Sequence, residues 1–152
     1  MTENERLAYL AGIIDGEGCV GAWNRRAKSD RRKRHAELSI RVAMTTPYAV
    51  KMLHEAFGGS LFAEKRHSGK RRQTFAWVVC NRKAENCLRA LLPFLQEKLE
   101  QADVALAMVE FGRRCRVGSG RPLTDEEFTT HEAYVDRLKE LKRQEFAATA
   151  LQ

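Results

Sequence analysis

The run Leu10-Ala11-Gly12-Ile13-Ile14-Asp15-Gly16-Glu17-Gly18 closes a helical segment with two carboxylates and leaves one side of that helix nearly bare. At about 3.6 residues per turn, Leu7, Tyr9, Leu10, Ile13 and Ile14 fall on one broad arc, and Ala8, Ala11, Gly12 and Asp15 on the other. An arc of Ala and Gly buries little area, but it lets another backbone come close, so it reads as a surface for a second helix of the same kind. Asp15 and Glu17 sit at or just past the helix C-terminus, where the dipole is negative and Lys or Arg is preferred. Local electrostatics disfavour them there unless a cation is recruited.

Length and composition agree with a compact polyanion binder. A chain of 152 residues with 43% hydrophobic content fits one domain with a substantial core. A formal net charge of +7 points to a polyanionic partner, although charge alone does not separate DNA from RNA or an acidic membrane. Membrane is the weakest of these: no apolar run approaches a bilayer span, and the short acidic N-terminus resembles neither a signal nor a transit peptide. The expectation is a chain with no membrane association that works inside the compartment where it is made, prokaryotic cytoplasm or a coding organelle. Cys19, Cys80, Cys87 and Cys115 form no C-x-x-C pair, and His35, His54, His67 and His131 have no zinc-like spacing to them. Free thiols in a reducing compartment follow.

Outward from the acidic run, Thr2-x-x-Glu5 is a capping box that starts the first helix, and the Gly16 and Gly18 turn ends it. Residues 19–26 are short and mixed. From His35 to Met44 the chain alternates, with Leu38, Ile40, Val42 and Met44 against Glu37, Ser39, Arg41 and Ala43, which is a half-buried strand. Between them, Arg25 to Arg34 holds Arg25, Arg26, Lys28, Arg31, Arg32, Lys33 and Arg34 against Asp30 alone, and reads as the exposed tip of a long hairpin. Thr46-Pro47 opens a helix through about Ala56, stopped by Gly58-Gly59. Leu61 to Arg66 and Gln73 to Cys80 make a second hairpin around Ser68-Gly69, with Phe75, Trp77 and Val79 as its core face. Asn81 caps a helix carrying Leu88, Leu91 and Leu92, and Pro93 interrupts it before a run from Phe94 to Arg113. Leu95, Leu99, Ala102, Leu106 and Val109 form the buried stripe of that run. After Gly118-Ser119-Gly120, a second capping box, Thr124-x-x-Glu127, starts a charged helix to about Phe146. It is expected to pack on the domain or to touch phosphates through Arg137, Lys139, Lys142 and Arg143. The order is an α+β αββαββα unit over residues 1–117, with residues 118–152 a helical extension of the same domain.

The nine-residue run resembles the signature of the LAGLIDADG homing endonucleases, with Ile13 for the second Leu, Gly16 for the second Ala and Glu17 for the last Asp. Leu92-Pro93-Phe94-Leu95-x-x-Lys98 is also similar to a run of that family, so the likeness extends from Leu7 to about Arg113. It implies the family's αββαββα fold, forming a two-fold homodimer with a DNA-binding saddle of antiparallel strands. It also implies the activity of intron homing: double-strand breaks in a long, nearly palindromic DNA site, with Mg2+ as cofactor, Mn2+ able to substitute and no small-molecule cofactor. The residues agree on stoichiometry. Hydrolysis of two strands needs hard cations on oxygen ligands, and one copy of the acidic motif is not enough. If Ala8, Ala11, Gly12 and Asp15 pack on their own copies, two Asp15 and two Glu17 converge on the axis.

The resemblance also implies roles. Glu17 occupies the metal-ligand position, with Gly16 the second metal position, and Asp15 has a supporting role at the helix ends. Lys98 is similar to a family lysine near the active site, where an ammonium can steady transition-state charge. Thr46 stands where relatives often carry a water-holding Gln. The hairpins would read DNA, because a twisted antiparallel ribbon fits the major groove and sends alternate side chains toward base edges. Glu37, Ser39 and Arg41 are the readers on the second strand. Gly21, Trp23 and Arg25 are candidates on the first, with Trp23 equally a core residue, and Lys65 and Thr74 on the second hairpin. Arg26, Lys28, Arg31, Arg32, Lys33, Arg34, Arg66, Lys70, Arg71 and Arg72 are left for phosphates. Two other classes stay open: a DNA-binding regulator that keeps the fold without catalysis, and an intron RNA-splicing maturase using the same basic charge on A-form RNA.

Overall fold

A computed structural model describes residues 1–24, 36–65, 72–115 and 120–150. The expected tip of the first hairpin at Arg25 to Arg34, His35 at the start of the expected second strand, residues 66–71 of the second hairpin, and Gly118 and Ser119 lie outside the described residues. The elements run α1 (Glu3–Glu17), β1 (Gly18–Asn24), β2 (Ala36–Met44), α2 (Tyr48–Phe57), β3 (Ser60–Ala63), β4 (Phe75–Cys80), α3 (Asn81–Leu91), a 3₁₀ turn (Leu92–Phe94), α4 (Leu99–Arg114) and α5 (Asp125–Ala150). The four strands form one sheet in the order β1-β2-β4-β3. β4 pairs antiparallel with both neighbours, Val42 opposite Trp77 on one side and Leu61 opposite Trp77 on the other. The expected αββαββα order is therefore present, with a long α5 after it.

The chain forms two compact units, one of Met1–Val20 with Ser39–Leu99 and one of Gly21–Leu38 with Glu100–Gln152. In the first, α1 packs on α2, α3 and the 3₁₀ turn, and α2 and α3 pack on β4. Leu10, Ile14, Ile40, Val42, Val50, Leu53, Trp77, Leu88 and Leu91 are completely buried or nearly so. Each such side chain contributes roughly 1.5–3 kcal/mol over its exposed state. Trp77 also fastens the corner after α2, because its Nε1 donates to the Gly58 carbonyl at 2.7 Å. That corner needs glycine. Gly58 and Gly59 have φ of 70° and 91°, and a Cβ on Gly59 would stand 2.5 Å from the Val78 carbonyl oxygen.

In the second unit, α5 carries Val135, Leu138 and Leu141 inward, and Arg137 donates to Glu100. Gln101 donates to Glu145 at 3.1 Å, and the Phe111 and Tyr134 rings meet at 5.9 Å. His131, which no motif flagged, is buried, and its Nε2 accepts the Ala36 amide at 3.0 Å. Since that bond needs an unprotonated Nε2, the imidazole holds the start of β2 only in its neutral form.

Both capping boxes form as expected. Thr2 accepts the Glu5 amide at 3.2 Å while Glu5 accepts the Thr2 amide at 2.6 Å, and Thr124 and Glu127 do the same at 3.1 and 2.9 Å. These amides hold the Glu5 and Glu127 carboxyls below the usual carboxylate range. Because their folded pKa values are depressed, the contribution of the caps is present above the unfolded carboxylate pKa and is lost as pH falls through the folded one.

Three local expectations are corrected. The N-cap of α3 is Cys80, not Asn81, which is the first helical residue and takes a left-handed φ of 54°, a conformation Asn tolerates better than most. On α4, Leu99 is 40% exposed and Val109 half-buried, and the inward stripe runs through Gln101, Ala102, Ala105, Leu106 and Met108. Helix α4 begins at Leu99, not at Phe94, and its phase is set by which side meets the rest of the protein, a choice that the apolar spacing alone leaves open. In β4, Ala76 is buried along with Trp77 and Val79, while Phe75 is only half-buried.

None of the four cysteines is in a disulfide; Cys19 and Cys80 are exposed, Cys87 and Cys115 buried. Burial pushes the Cys87 thiol up to about 12, so it stays protonated across the working range. A thiolate-selective alkylating reagent is expected to label Cys19 and Cys80 in the native protein and to reach Cys87 only on unfolding. Mass mapping of labelled peptides checks this, and rapid native labelling of Cys87 would contradict its placement. Among the described residues, no helix is long and apolar enough to cross a membrane.

Candidate active site at the end of α1

The helical phase of α1 divides its residues differently from the sequence expectation. Leu10, Ala11 and Ile14 face inward and are fully buried, while Ala8, Tyr9, Gly12 and Gly16 are exposed. Ala11, expected on the small exposed arc, therefore belongs to the core, and Tyr9 belongs to the exposed face at 39% exposure. The cause is geometric: Ala11 lies within about a third of a turn of Leu7 and Ile14, whereas Tyr9 stacks over the Gly12 and Gly16 side. A Cβ placed on Gly12 or Gly16 would have no atom within 4 Å. The exposed face thus has room, and glycine is not needed there to fit the chain's own core.

At its C-terminus α1 turns directly into β1, and Gly18 makes that turn possible. Its amide donates to the Ile14 carbonyl, and a Cβ there would come within 2.5 Å of the same oxygen. Asp15 ties this corner to the segment before α4. One carboxylate oxygen accepts the Gln96 amide at 2.9 Å, the other accepts the Lys98 amide at 3.0 Å, and the Asp15 carbonyl accepts from Lys98 Nζ at 2.8 Å. Lys98 is only 1% exposed. A buried ammonium thus sits on the negative end of a helix whose last turn carries no basic residue of its own, the cation that the dipole calls for. Asp15→Ala removes the acceptor of two amides and should lower unfolding stability by about 1–3 kcal/mol, measured by urea titration; an unchanged midpoint would show that water replaces the carboxylate without cost.

Glu17 and Gly16 are exposed at the same helix end, and Thr46 is exposed just ahead of α2. The donor set suits a hard divalent cation, since it offers a carboxylate with neighbouring backbone carbonyls. Mg2+ commonly uses one or two carboxylates, with waters and substrate phosphates completing its shell. Among the described residues, no group of three or more His, Cys, Asp or Glu could hold a metal ion. With Asp15 engaged by backbone amides, Glu17 is the carboxylate that α1 itself leaves facing solvent at its C-terminus.

The outer sheet face is more engaged than alternation suggests. Arg41 donates through Nη2 to Glu64 Oε1, and Thr74 Oγ1 donates to Glu64 Oε2 at 2.8 Å. Ser39, expected as a base reader, is buried at 4% exposure, opposite Cys80 in the register, where a short side chain lies below its neighbours. Gly21 is buried as well: a Cβ there would lie 2.7 Å from Lys142 Nζ on α5, so the lysine covers the position expected to face DNA. Glu37 is half-buried, and Lys65 and Arg72 are exposed. Arg25, Arg26, Lys28, Arg31, Arg32, Lys33, Arg34, Arg66, Lys70 and Arg71 fall outside the described residues, as does the side chain of Trp23. Of the α5 candidates, Arg137 pairs with Glu100 and Arg143 lies 3.6 Å from Glu140. Sequence reasoning missed Glu64, which follows β3 and has no local signal that ties it to Arg41, and Gln96, which acts through its backbone.

No family model matches this sequence, and no curated protein does. Solved structures do. The homing endonuclease I-CvuI, in complex with the I-CreI target in the presence of 2 mM Mg, superposes with a TM-score of 0.70 at 20% identity, covering 91% of this chain and 82% of that one. The archaeal intron-encoded homing endonuclease I-Vdi141I, complexed with DNA, gives 0.59 at 15% identity over 91% and 99%. The LAGLIDADG homing endonuclease I-LtrWI, bound to target DNA, gives 0.67 at 14% identity over 90% of this chain and 45% of that one. The chain has the LAGLIDADG homing-endonuclease fold.

Proposed function

We propose that this protein is a site-specific homing endonuclease of the LAGLIDADG family that acts as a homodimer and breaks both strands of a nearly palindromic DNA duplex by Mg2+-dependent phosphodiester hydrolysis. The observation that carries the reading is Glu17, an exposed carboxylate at the end of a helix whose exposed face is Ala8, Tyr9, Gly12 and Gly16. Packing that face on its own copy brings two such helix ends, each with its Glu17, together about a two-fold axis. The DNA complexes among its structural neighbours support the same substrate class.

Each residue has a task in this account. Glu17 and the Gly16 backbone would hold the cation, which when bound supplies charge neutralisation and an activated water. Asp15 does not bind the cation. It fixes the α1 corner through the Gln96 and Lys98 amides, so that Glu17 is presented on rigid backbone. Lys98 holds the Asp15 carbonyl and places a positive charge beneath the site, where negative charge builds up on the phosphate. Thr46 offers an exposed hydroxyl for water. The sheet face carrying Arg41 lies along the duplex, with Arg41 toward base edges and the hairpin arginines and lysines toward phosphates.

Arg41→Ala should relax discrimination at a symmetric pair of base positions, at about 1–3 kcal/mol per half-site if its contact is bidentate. Binding to a panel of singly substituted duplexes measures it; an equal loss on every duplex would make Arg41 a phosphate contact. The function itself is tested by incubating the protein with a randomised duplex library and Mg2+, with and without chelator. Chelator-sensitive breaks at a recurring symmetric site support the reading. Selective binding without breakage would favour a non-catalytic regulator.

A further inference from the structure

Glu64 is an anion on the face where the proposed function seats a polyanion, and it is tethered at every polar group. Its Oε1 accepts from Arg41 Nη2, and its Oε2 accepts from Thr74 Oγ1 at 2.8 Å. Its amide donates to the Thr74 carbonyl at 2.9 Å, and its own carbonyl accepts from Gln73 Nε2 at 2.6 Å. Gln73 Nε2 also donates to the Thr74 carbonyl at 3.1 Å. The carboxylate is thus locked where β3 and β4 leave the sheet, and it reaches β2 to hold the guanidinium.

Simple affinity for DNA does not account for such an acid. Its charge opposes phosphate, and a surface ion pair of this exposure adds little to stability. A carboxylate held at both oxygens does restrict one neighbour strongly. An arginine on a free four-carbon stem can swing to any nearby phosphate, which adds affinity without sequence information. An arginine whose Nη2 is pinned to a fixed carboxylate has its planar fork set in one orientation, the condition for a bidentate contact with a single base.

We propose that Glu64 is a positioning residue for DNA sequence discrimination: it fixes the Arg41 fork for one base pair and denies it to phosphates. This rests on the DNA-reading role proposed above. Removing Glu64 should then do what loss of an ordinary contact does not, raising affinity for unrelated duplex while lowering selectivity.

The test uses the full chain and sites recovered from a randomised duplex DNA library by binding in Ca2+. Wild type, Glu64→Ala, Glu64→Gln, Arg41→Ala and the double variant are titrated against the recovered site, its single-base variants and an unrelated duplex. Glu64→Gln keeps an acceptor for Arg41 and guards against a folding defect in the alanine variant. For Glu64→Ala we expect several-fold tighter binding to the unrelated duplex and roughly tenfold weaker discrimination at the Arg41 base pair, the scale of a good bidentate contact. Glu64→Gln should show the same gain in non-specific affinity with a smaller loss of discrimination. In the Arg41→Ala background, Glu64→Ala should leave discrimination at that base pair unchanged. Unaltered discrimination in Glu64→Ala, or an equal loss with and without Arg41, overturns the proposal while DNA reading stands. A wild-type protein that binds all duplexes alike overturns the underlying reading, and this inference with it.

Discussion

Glu17→Gln is expected to abolish cleavage and to leave DNA affinity nearly unchanged. The amide keeps the shape of the side chain but removes the anionic oxygen that a hard cation requires. The charge stabilisation such a cation provides is worth several kcal/mol, and each ~1.4 kcal/mol is tenfold in rate, so the loss should be at least about 1,000-fold. Because Glu17 is exposed and lies past the buried part of α1, the variant should fold as the wild type does. Cleavage with titrated Mg2+ and Mn2+, beside a gel-shift on the same duplex, reads both quantities. Retained cutting would remove Glu17 from the active site; affinity falling along with cutting would mean that it holds DNA or the fold instead.

Gly12→Leu has the second large effect, and the structure separates its consequences. Within one chain the substitution is harmless: Gly12 is exposed, a Cβ there meets nothing within 4 Å, and leucine is a better helix former by roughly 1 kcal/mol. Across a two-fold helix interface it is prohibitive, because a four-carbon side chain cannot fit where two backbones approach. The variant should therefore keep its far-UV circular dichroism but sediment as a monomer, and lose both tight DNA binding and cleavage. A dimer that persists and cuts would mean that the face of Ala8, Tyr9, Gly12 and Gly16 serves something other than self-association.

Features read from neighbours along the chain were legible in the sequence; those set by distant residues were not. The Thr2 and Thr124 boxes, the Gly58-Gly59 stop and the Pro93 break are local, and each is present. So is the order of helices and strands. The exchange of Ala11 and Tyr9 between faces of α1 was hidden, because small and apolar residues alternate there and only the position of the core fixes the helical phase. Ser39 looked exposed by alternation alone. Glu64 carried no sequence signal, since its partner Arg41 lies 23 residues away and is joined only by β2–β4–β3 pairing. His131 lay 95 residues from the amide it holds, beyond any spacing rule.

The candidate site divides the same way. Asp15 and Glu17 stand one residue apart in the motif, and only the family resemblance gave them different tasks; the amides of Gln96 and Lys98, more than eighty positions on, engage one and leave the other in solvent. Lys98 could be placed near the site by its spacing from Pro93, but its burial and its bond to the Asp15 carbonyl follow from how the 3₁₀ turn packs against α1.

The central claim is that two copies of one helix end, each bearing Glu17, form a single metal-dependent site that breaks both strands of DNA. The most direct measurement mixes wild-type and Glu17→Gln protein in varying ratio at constant total concentration, with Mg2+ and a supercoiled plasmid carrying a site recovered from the randomised library. If each dimer holds one composite site, linear product should fall faster than the wild-type fraction, toward its square, because a mixed dimer lacks one of the two carboxylates. Linear product falling in simple proportion to the wild-type fraction would show that each chain cuts alone, and would contradict the account.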